Sequence, residues 1–162
     1  MNNDVLEIIE YLTSKKDELA SQLESLVDEY WVTWRDTNRN IISQSGNPDS
    51  VARVGAVAPS IRVYATKAHD RIILRWRIYE NSWARLNAAK QDKQTLRYAK
   101  EIKRNKDGTT SRFKLTKEAV SWEVEQIDRF LSEAEPVITL INSIHQSLKL
   151  LNKLNTKATT EL

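Results

Sequence analysis

Residues 60–65 read Ser-Ile-Arg-Val-Tyr-Ala, and residues 71–79 read Arg-Ile-Ile-Leu-Arg-Trp-Arg-Ile-Tyr. Apolar and basic side chains alternate in both runs, which is the period of a β-strand with one buried face. The second run divides into an apolar side with Leu74, Trp76 and Ile78 and a polar side with Arg75, Arg77 and Tyr79. We therefore predict strands at residues 60–66 and 70–80, joined as a hairpin by residues 67–69. The apolar face of this sheet must be buried against other elements, and the other face carries cations and aromatic rings.

The rest of the middle third predicts a second hairpin. Residues 96–104 and 109–115 are its expected strands, and Asn105-Lys106-Asp107-Gly108 between them is a strong turn signal. The segment 81–95 is ambiguous, because it could continue a strand or form a helical turn. We therefore expect a three- to four-stranded antiparallel β-meander.

Helical sequence flanks the sheet on both sides. Residues 4–42 place apolar side chains at spacings of three, four and seven without an intervening Gly or Pro, which predicts one long helix with Trp31 and Trp34 in the core. Residues 116–154 predict a second helix with Thr116 as N-cap and a kink at Pro136. Residues 43–59 are predicted to be a connector whose second half could lie along a sheet edge, and residues 155–162 a frayed tail.

The predicted fold class is α+β in a single domain, residues 1–162, with the basic sheet inserted between two long helices. A helix of residues 4–42 would be about 57 Å long. A compact globule of this size is shorter, so the helix must protrude, pair or break. The two helices could run antiparallel within one chain, or their stripes could join two copies as a coiled-coil dimer. The sequence leaves both arrangements open.

The net charge of +3 conceals a strong segregation along the chain. Residues 53–115 carry 16 Lys and Arg against 5 Asp and Glu, whereas residues 1–52 carry 4 against 10 and residues 116–162 carry 5 against 7. A surface that serves only solubility mixes both signs. The middle segment is therefore expected to concentrate positive potential and to attract polyanions.

Several classes of protein are excluded or disfavoured by the sequence. No run of eighteen apolar residues could span a membrane, the amino terminus lacks the features of a signal peptide, and there are no cysteines, so we expect a cytoplasmic protein. Metal ligands and nucleophile–base pairs do not cluster, since the only histidines are His69 and His145. No glycine-rich phosphate loop is present. We predict no enzymatic activity and no cofactor.

The basic sheet predicts a nucleic-acid partner, with duplex DNA favoured over a single strand. The second hairpin would enter the major groove as a two-stranded ribbon and the first would follow the backbone, although aromatic rings could instead stack on exposed bases. The candidate binding residues are Arg53, Arg62, Tyr64, Arg75, Arg77, Tyr79, Arg97, Lys100, Lys103, Arg104, Lys106, Arg112 and Lys114.

A set of short motifs also resembles a known family. They are Tyr30-Trp31 with Trp34-Arg35, Arg53-Val54-Gly55, Ile61-Arg62-Val63, Ile73-Leu74-Arg75-Trp76, and Arg112-Phe113-Lys114-Leu115 running into residues 118–127. This arrangement, over residues 23–140, resembles the MobI-type mobilisation proteins of bacterial conjugative plasmids and integrative elements. The resemblance implies an accessory factor of the relaxosome, which recognises the origin of transfer and assists a relaxase without nicking DNA itself.

A different class of function remains as the alternative. The chain could be a helical adaptor that binds another protein through its apolar stripes, with the basic sheet incidental. Reversing Arg75, Arg77, Lys103 and Arg104 to Glu distinguishes the two hypotheses, since only the first requires those charges.

Overall fold

The computed structural model describes residues 2–44, 54–67, 69–79 and 99–160. Its elements are α1 (Asn2–Gln44), β1 (Val57–Tyr64), β2 (Arg71–Tyr79), β3 (Ala99–Glu101), α2 (Arg112–Lys117) and α3 (Ser121–Thr160). The strands form an antiparallel sheet in the order β1-β2-β3. The predicted α+β architecture, with long terminal helices flanking an antiparallel sheet, is confirmed.

The two long helices α1 and α3, together called the stalk, pack antiparallel within one chain. Trp34 near the end of α1 meets Glu123 near the start of α3, and the backbone carbonyl of Tyr30 accepts a hydrogen bond from Gln126 one turn further along. With 43 and 40 residues, both helices are about 60 Å long. No helix in the described part of the chain is long and apolar enough to cross a membrane.

The ends of the C-terminal helix differ from the prediction. Thr116 lies inside the short helix α2 and is not an N-cap; α3 begins at Ser121, and the Glu123 side chain accepts the Val120 N–H at 3.2 Å, as in a capping box. The predicted frayed tail was wrong as far as Thr160, where α3 ends. Pro136 is exposed inside α3, and the helix continues beyond it.

The apolar side of the sheet packs on the stalk as its alternation predicts. Trp76 is only 2% exposed and makes edge-to-face contacts with Tyr30 and Phe130, at ring-centroid distances of 5.7 and 5.4 Å. Leu74 and Ile78 pack against the same cluster. Both helices therefore contribute aromatic rings to the cover that the sheet requires.

The predicted second hairpin was wrong, although its first strand, residues 96–104, is present in part as β3 (Ala99–Glu101). The turn at residues 105–108 is present, with Gly108 at φ 87° and its N–H donating to the Asn105 carbonyl. The chain then enters α2 instead of a strand, because Ser111 caps that helix through the Lys114 N–H and Leu115 is fully buried in the core. The ambiguous segment 81–95 lies outside the described residues.

Helix α1 closes the outer edge of β1. Because the Ala56 carbonyl accepts from Tyr79 on β2, the polar groups of Val57 and Pro59 point away from the sheet. Their carbonyls accept hydrogen bonds from the Tyr30 hydroxyl and the Trp31 Nε1–H, both at 2.8 Å. Residues 57–59, predicted as a connector that could lie along a sheet edge, are thus an edge strand whose outward carbonyls are satisfied by α1 and whose Val57 N–H is accepted by Glu123 of α3.

Candidate nucleic-acid interface

The sheet has one side turned away from the stalk, here called the open face. Residues paired across antiparallel strands point to the same side. Ser60 pairs with Arg75, Arg62 with Ile73, and Tyr64 with Arg71. The open face therefore carries Ser60, Arg62, Tyr64, Arg71, Ile73 and Arg75, and it ends at Arg77, whose strand partner Ala58 is fully buried and whose Nε is buried without a hydrogen-bond partner among the described residues.

Local contacts hold the open-face arginines in place. The Arg75 Nε donates to Ser60 Oγ at 2.9 Å, and an Arg77 Nη donates to the Ala99 carbonyl at 3.2 Å. The Arg62 guanidinium carbon lies 4.7 Å from the centroid of the Tyr64 ring. Neither β1 nor β2 contains Asp or Glu, and the carboxylate opposite Arg77 on β3, Glu101, pairs with Arg104. These contacts therefore orient the guanidinium groups of Arg62, Arg75 and Arg77 without an ion pair to a described residue.

A cleft at the end of the open face, here called the basic cleft, adds further cations. It encloses about 670 Å³ and is lined by Tyr64, Thr66, Arg71, Ile73, Glu101, Lys103, Arg104, Asn105, Lys106 and Gly108. Glu101 is the carboxylate among these residues, and it pairs with Arg104 at 3.0 Å. Arg71, Lys103 and Lys106 form no ion pair with a described residue, so the cleft has an excess of positive charge.

Lys114 supports the wall of the basic cleft from behind. Its Nζ donates to the Lys103 carbonyl at 3.2 Å and to Asn105 Oδ1 at 3.4 Å. Lys114 therefore positions the residues that line the cleft, although it is not one of them.

In the turn beside the cleft, hydrogen bonds from the Thr109 side chain and backbone lower the pKa of Asp107 below its usual range.

Three predicted binding residues lie away from the open face or have other partners. Tyr79 packs edge-to-face on Trp31 and Trp34, with ring centroids 5.1 and 5.8 Å away. Lys100 pairs with Ile78 and therefore projects from the stalk side of the sheet. Arg112 forms a two-point hydrogen-bonded ion pair with Asp128 of α3, and this pairing raises the pKa of Arg112. Two further predicted residues, Arg53 and Arg97, lie outside the described residues.

Arg71 is the cleft residue that the sequence reasoning missed. It pairs with Tyr64, is exposed, and lines the basic cleft. The signal was available, because extending the alternation of Arg75 and Arg77 back by two steps reaches Arg71. The predicted binding residues that the structure does bring together are Arg62, Tyr64, Arg75, Arg77, Lys103, Arg104 and Lys106.

The two histidines meet at the junction of sheet and stalk. His69, in the β1–β2 turn, has its Nε2 2.5 Å from Nδ1 of His145 on α3. Burial lowers the pKa of both imidazoles, and nearby Lys16 lowers them further. Lys16 is itself 4% exposed and donates to the Asp70 carbonyl at 3.1 Å. This contact fastens the turn to the stalk.

No cluster of three or more His, Asp or Glu side chains suited to a metal ion occurs within the described ranges. In comparisons with known proteins, no family model, no curated protein and no solved structure matches the chain. The geometry of the open face and the basic cleft therefore carries the functional argument.

Proposed function

We propose that the protein binds DNA through the open face and the basic cleft, as an accessory factor in conjugative DNA mobilisation. The observation that carries DNA binding is the grouping of Arg62, Arg71, Arg75, Arg77, Lys103 and Lys106 on adjoining surfaces, where Glu101 is the one carboxylate on the described strands. Such a group neutralises phosphates and releases condensed counterions, which gives sequence-independent affinity that falls with salt.

The fold favours contact along the duplex backbone over insertion of a hairpin. A two-stranded ribbon fits the major groove, which is about 12 Å wide. In the described part of the chain the sheet has three strands, and α1 covers the outer edge of β1 through Tyr30 and Trp31. The open face would lie against the phosphates, with the arginines also able to donate to guanine edges. Tyr64, half-buried beneath Arg62, would stack on a base only if Arg62 moved.

The narrower role rests on the resemblance to MobI-type mobilisation proteins. This resemblance implies that the DNA site is the origin of transfer and that the protein partner is a relaxase. In this role the protein works in the cytoplasm and positions the relaxase, and strand cleavage is left to that partner. A homodimer would suit an accessory factor that recruits two partners to one DNA site.

Binding is tested by fluorescence anisotropy with a labelled duplex of about 30 base pairs over a range of salt concentrations. We expect log K to fall linearly with log salt, with a slope of about −4 to −5 if five phosphates are neutralised. The double variant Arg71→Glu/Lys103→Glu should weaken binding at least tenfold at low salt and make the slope shallower by about two. Affinity that stays flat as salt rises would refute a phosphate-dominated interface.

A matched control separates a site from a general charge effect. Lys117→Glu/Lys153→Glu makes the same change of net charge at exposed positions on α2 and α3, away from the cleft. It should retain most of the affinity of the wild type. Equal losses in both variants would show that the cations act only through net charge.

The relaxosome role needs its own measurement. Anisotropy with the origin-of-transfer duplex and a shuffled duplex should show tighter binding to the former, and the relaxase should nick that site faster when this protein is added. If Arg75, Arg77, Lys103 and Arg104 can be reversed to Glu with no loss of the relaxase stimulation, the adaptor alternative replaces DNA binding.

A further inference from the structure

The stalk continues beyond the sheet as a two-helix tip with an uneven distribution of apolar side chains. The seam between the helices is formed by Val5, Ile9, Leu12 and Lys16 on α1 and by Ile141, Ile144, Leu148, Leu151 and Asn155 on α3, all buried or half-buried. At the sheet end of this tip, His145 and Lys16 contact the β1–β2 turn. Below that level the two helices have only each other in the described structure.

The residues that immediately precede the seam residues form one exposed flank, here called the tip flank. It contains Ile8, Tyr11, Leu140, Leu150 and Leu154, which are 47, 64, 53, 65 and 57% exposed. An antiparallel helix pair is related by a twofold axis perpendicular to its plane, so equivalent positions on the two helices lie on the same side. The apolar side chains of α1 and α3 therefore form one surface.

The opposite flank is polar except for Leu6, and it lies on the side of the stalk that carries the sheet. The residues that immediately follow seam residues are Leu6, Glu10, Thr13 and Asp17 on α1 and Asn142, His145, Lys149, Asn152 and Thr156 on α3. Of these, His145 contacts the β1–β2 turn and Asn142 lines a cavity under β2. The tip flank therefore lies on the side of the stalk away from the sheet, where binding would leave the open face accessible.

The α1 part of the tip flank is complementary to itself when reversed. It reads Asp4, Ile8, Tyr11 and Lys15, at spacings that keep all four on one stripe. Laid antiparallel on a second copy, Ile8 would meet Tyr11, and Asp4 would meet Lys15, which within its own chain forms an exposed ion pair with Glu18 at 2.8 Å. This order of acidic, apolar, apolar and basic residues favours a twofold contact between identical chains over a contact with an unrelated surface.

We propose that the tip flank is the interface of a homodimer, in which two stalks pack antiparallel around Ile8 and Tyr11. The flank spans about 25 Å along the two helices and about 20 Å across them, so two copies would bury about 1,000 Å² in total. That area is near the lower limit for a specific interface. The dimer therefore dissociates in the micromolar range, and it does not depend on nucleic-acid binding.

Sedimentation equilibrium of the full chain, from about 1 to about 100 µM, measures the association. The wild type should change from monomer to dimer across this range, and Ile8→Glu/Leu150→Glu should remain monomeric. Leu6→Glu is the matched control, because Leu6 is 48% exposed on the opposite flank of the same turn. A wild type that stays monomeric throughout, or a dimer that survives the double substitution, overturns the proposal.

A crosslinking experiment covers the case in which the charged variants lose helical structure. The sequence contains no cysteine, so Ile8→Cys/Tyr11→Cys introduces the only thiols. Mild oxidation should produce disulfide-linked dimers, since the antiparallel contact brings residue 8 close to residue 11 of the other copy. Leu6→Cys/Glu10→Cys should give at most a trace, and equal crosslinking of both variants would exclude the tip flank.

A charge exchange distinguishes self-association from any other partner. Asp4→Lys places two lysine pairs in the homodimer and Lys15→Asp places two aspartate pairs, so each variant alone should associate more weakly than the wild type. An equimolar mixture should recover the association, because each new pair then joins opposite charges. A mixture no stronger than its components would contradict the antiparallel register.

Discussion

The two ends of the β1–β2 hairpin differ in whether their polar groups have partners within the protein. At the end near Val57, here called the sheet root, a buried carboxylate is paired with two donors: the Oε2 of fully buried Glu123 accepts from Trp34 Nε1–H and from the Val57 N–H, each at 2.8 Å. At the other end, Arg71 and Lys103 line an open cleft and form no ion pair with a described residue. One end of the hairpin attaches the sheet to the long helices, and the other end is accessible to a ligand.

The difference follows from burial. At the sheet root, burial and the nearby Glu123 raise the pKa of Tyr30, whose hydroxyl therefore remains a donor to the Val57 carbonyl. An unpaired polar group there would cost about 1–3 kcal/mol. In the cleft, water solvates the cations, so the absence of a protein partner there costs little stability. Substitutions at the root should therefore change stability, and substitutions in the cleft should change binding.

The largest effect is expected for Glu123→Leu. The substitution leaves the Trp34 and Val57 N–H groups buried without an acceptor and should lower the free energy of unfolding by about 3–5 kcal/mol. Urea denaturation followed by circular dichroism measures the change. Glu125→Leu, at an exposed neighbouring position, is the control and should change stability by less than about 0.5 kcal/mol. Similar losses in both variants would mean that the root network contributes little.

Gly55→Ala should produce the next largest loss. A Cβ at this position would lie 2.6 Å from Trp122 Cζ2 and 2.7 Å from Glu123 Oε2. Asn38 holds the backbone in place by accepting the Gly55 N–H at 2.7 Å, so the loop cannot retreat without breaking that bond. We expect a loss of about 2–3 kcal/mol in the same denaturation experiment.

The control for Gly55 is Gly108→Ala in the turn beside the cleft. Nothing lies within 4 Å of a Cβ there, but φ is +87°. The cost is then only the backbone strain, about 1 kcal/mol. If Gly108→Ala were the more harmful substitution, close packing at the root would not be the reason that residue 55 is glycine.

Acid should destabilise the protein by a smaller amount through the histidine pair. The folded state lowers the pKa of His69 and His145 below the ordinary value of 6.5, so the unfolded chain binds protons more readily. The contribution of the histidine pair to the free energy of unfolding is therefore fully present above about pH 6.5. It is lost as the pH falls through the lowered pKa values of the folded state. Lys16, Arg71 and Lys149 surround the pair and Asp70 opposes them.

Urea denaturation at pH 5 and pH 8 measures this loss. His69→Asn/His145→Gln should reduce the difference in stability between the two pH values. An unchanged difference would assign the acid sensitivity to other groups, such as Asp128, whose pKa is lowered by Arg112.

The smallest change in stability is expected in the basic cleft. Arg71→Glu/Lys103→Glu removes no ion pair between described residues, and both side chains are exposed. The free energy of unfolding should stay within about 0.5 kcal/mol per substitution, in contrast to Glu123→Leu. A large loss here would remove the distinction between an attachment end and a binding end.

Local periodicity was sufficient to predict the long helices and the first hairpin. The stripe containing Leu23, Leu26 and Tyr30 and the alternation in β2 are both set by residues close in sequence. Thr109–Leu115 misled the prediction, because a short alternating run does not show whether Leu115 reaches the core from a strand or from a helix. The choice depends on the Ser111 cap and on burial against the stalk.

The candidate site likewise combines features that local periodicity predicts with features that depend on residues distant in sequence. Alternation correctly assigned Arg75 and Arg77 to the side opposite Trp76, because strand geometry alone decides it. The positions of Tyr79 and Arg112 depend on Trp31, Trp34 and Asp128, which are distant in sequence. No local pattern reveals such partners.

The sequence by itself determined the two long helices, the apolar faces of these helices and of the first hairpin, and the concentration of positive charge in the middle third of the chain. Only the tertiary structure decided that α1 seals the edge of β1, that Gly55 must leave room for Glu123, and that Lys103 and Lys106 join Arg71 in one cleft. The physical reason is range: helix and strand periodicity arise between neighbouring residues, whereas burial and hydrogen-bond partners depend on segments that meet only when the chain folds.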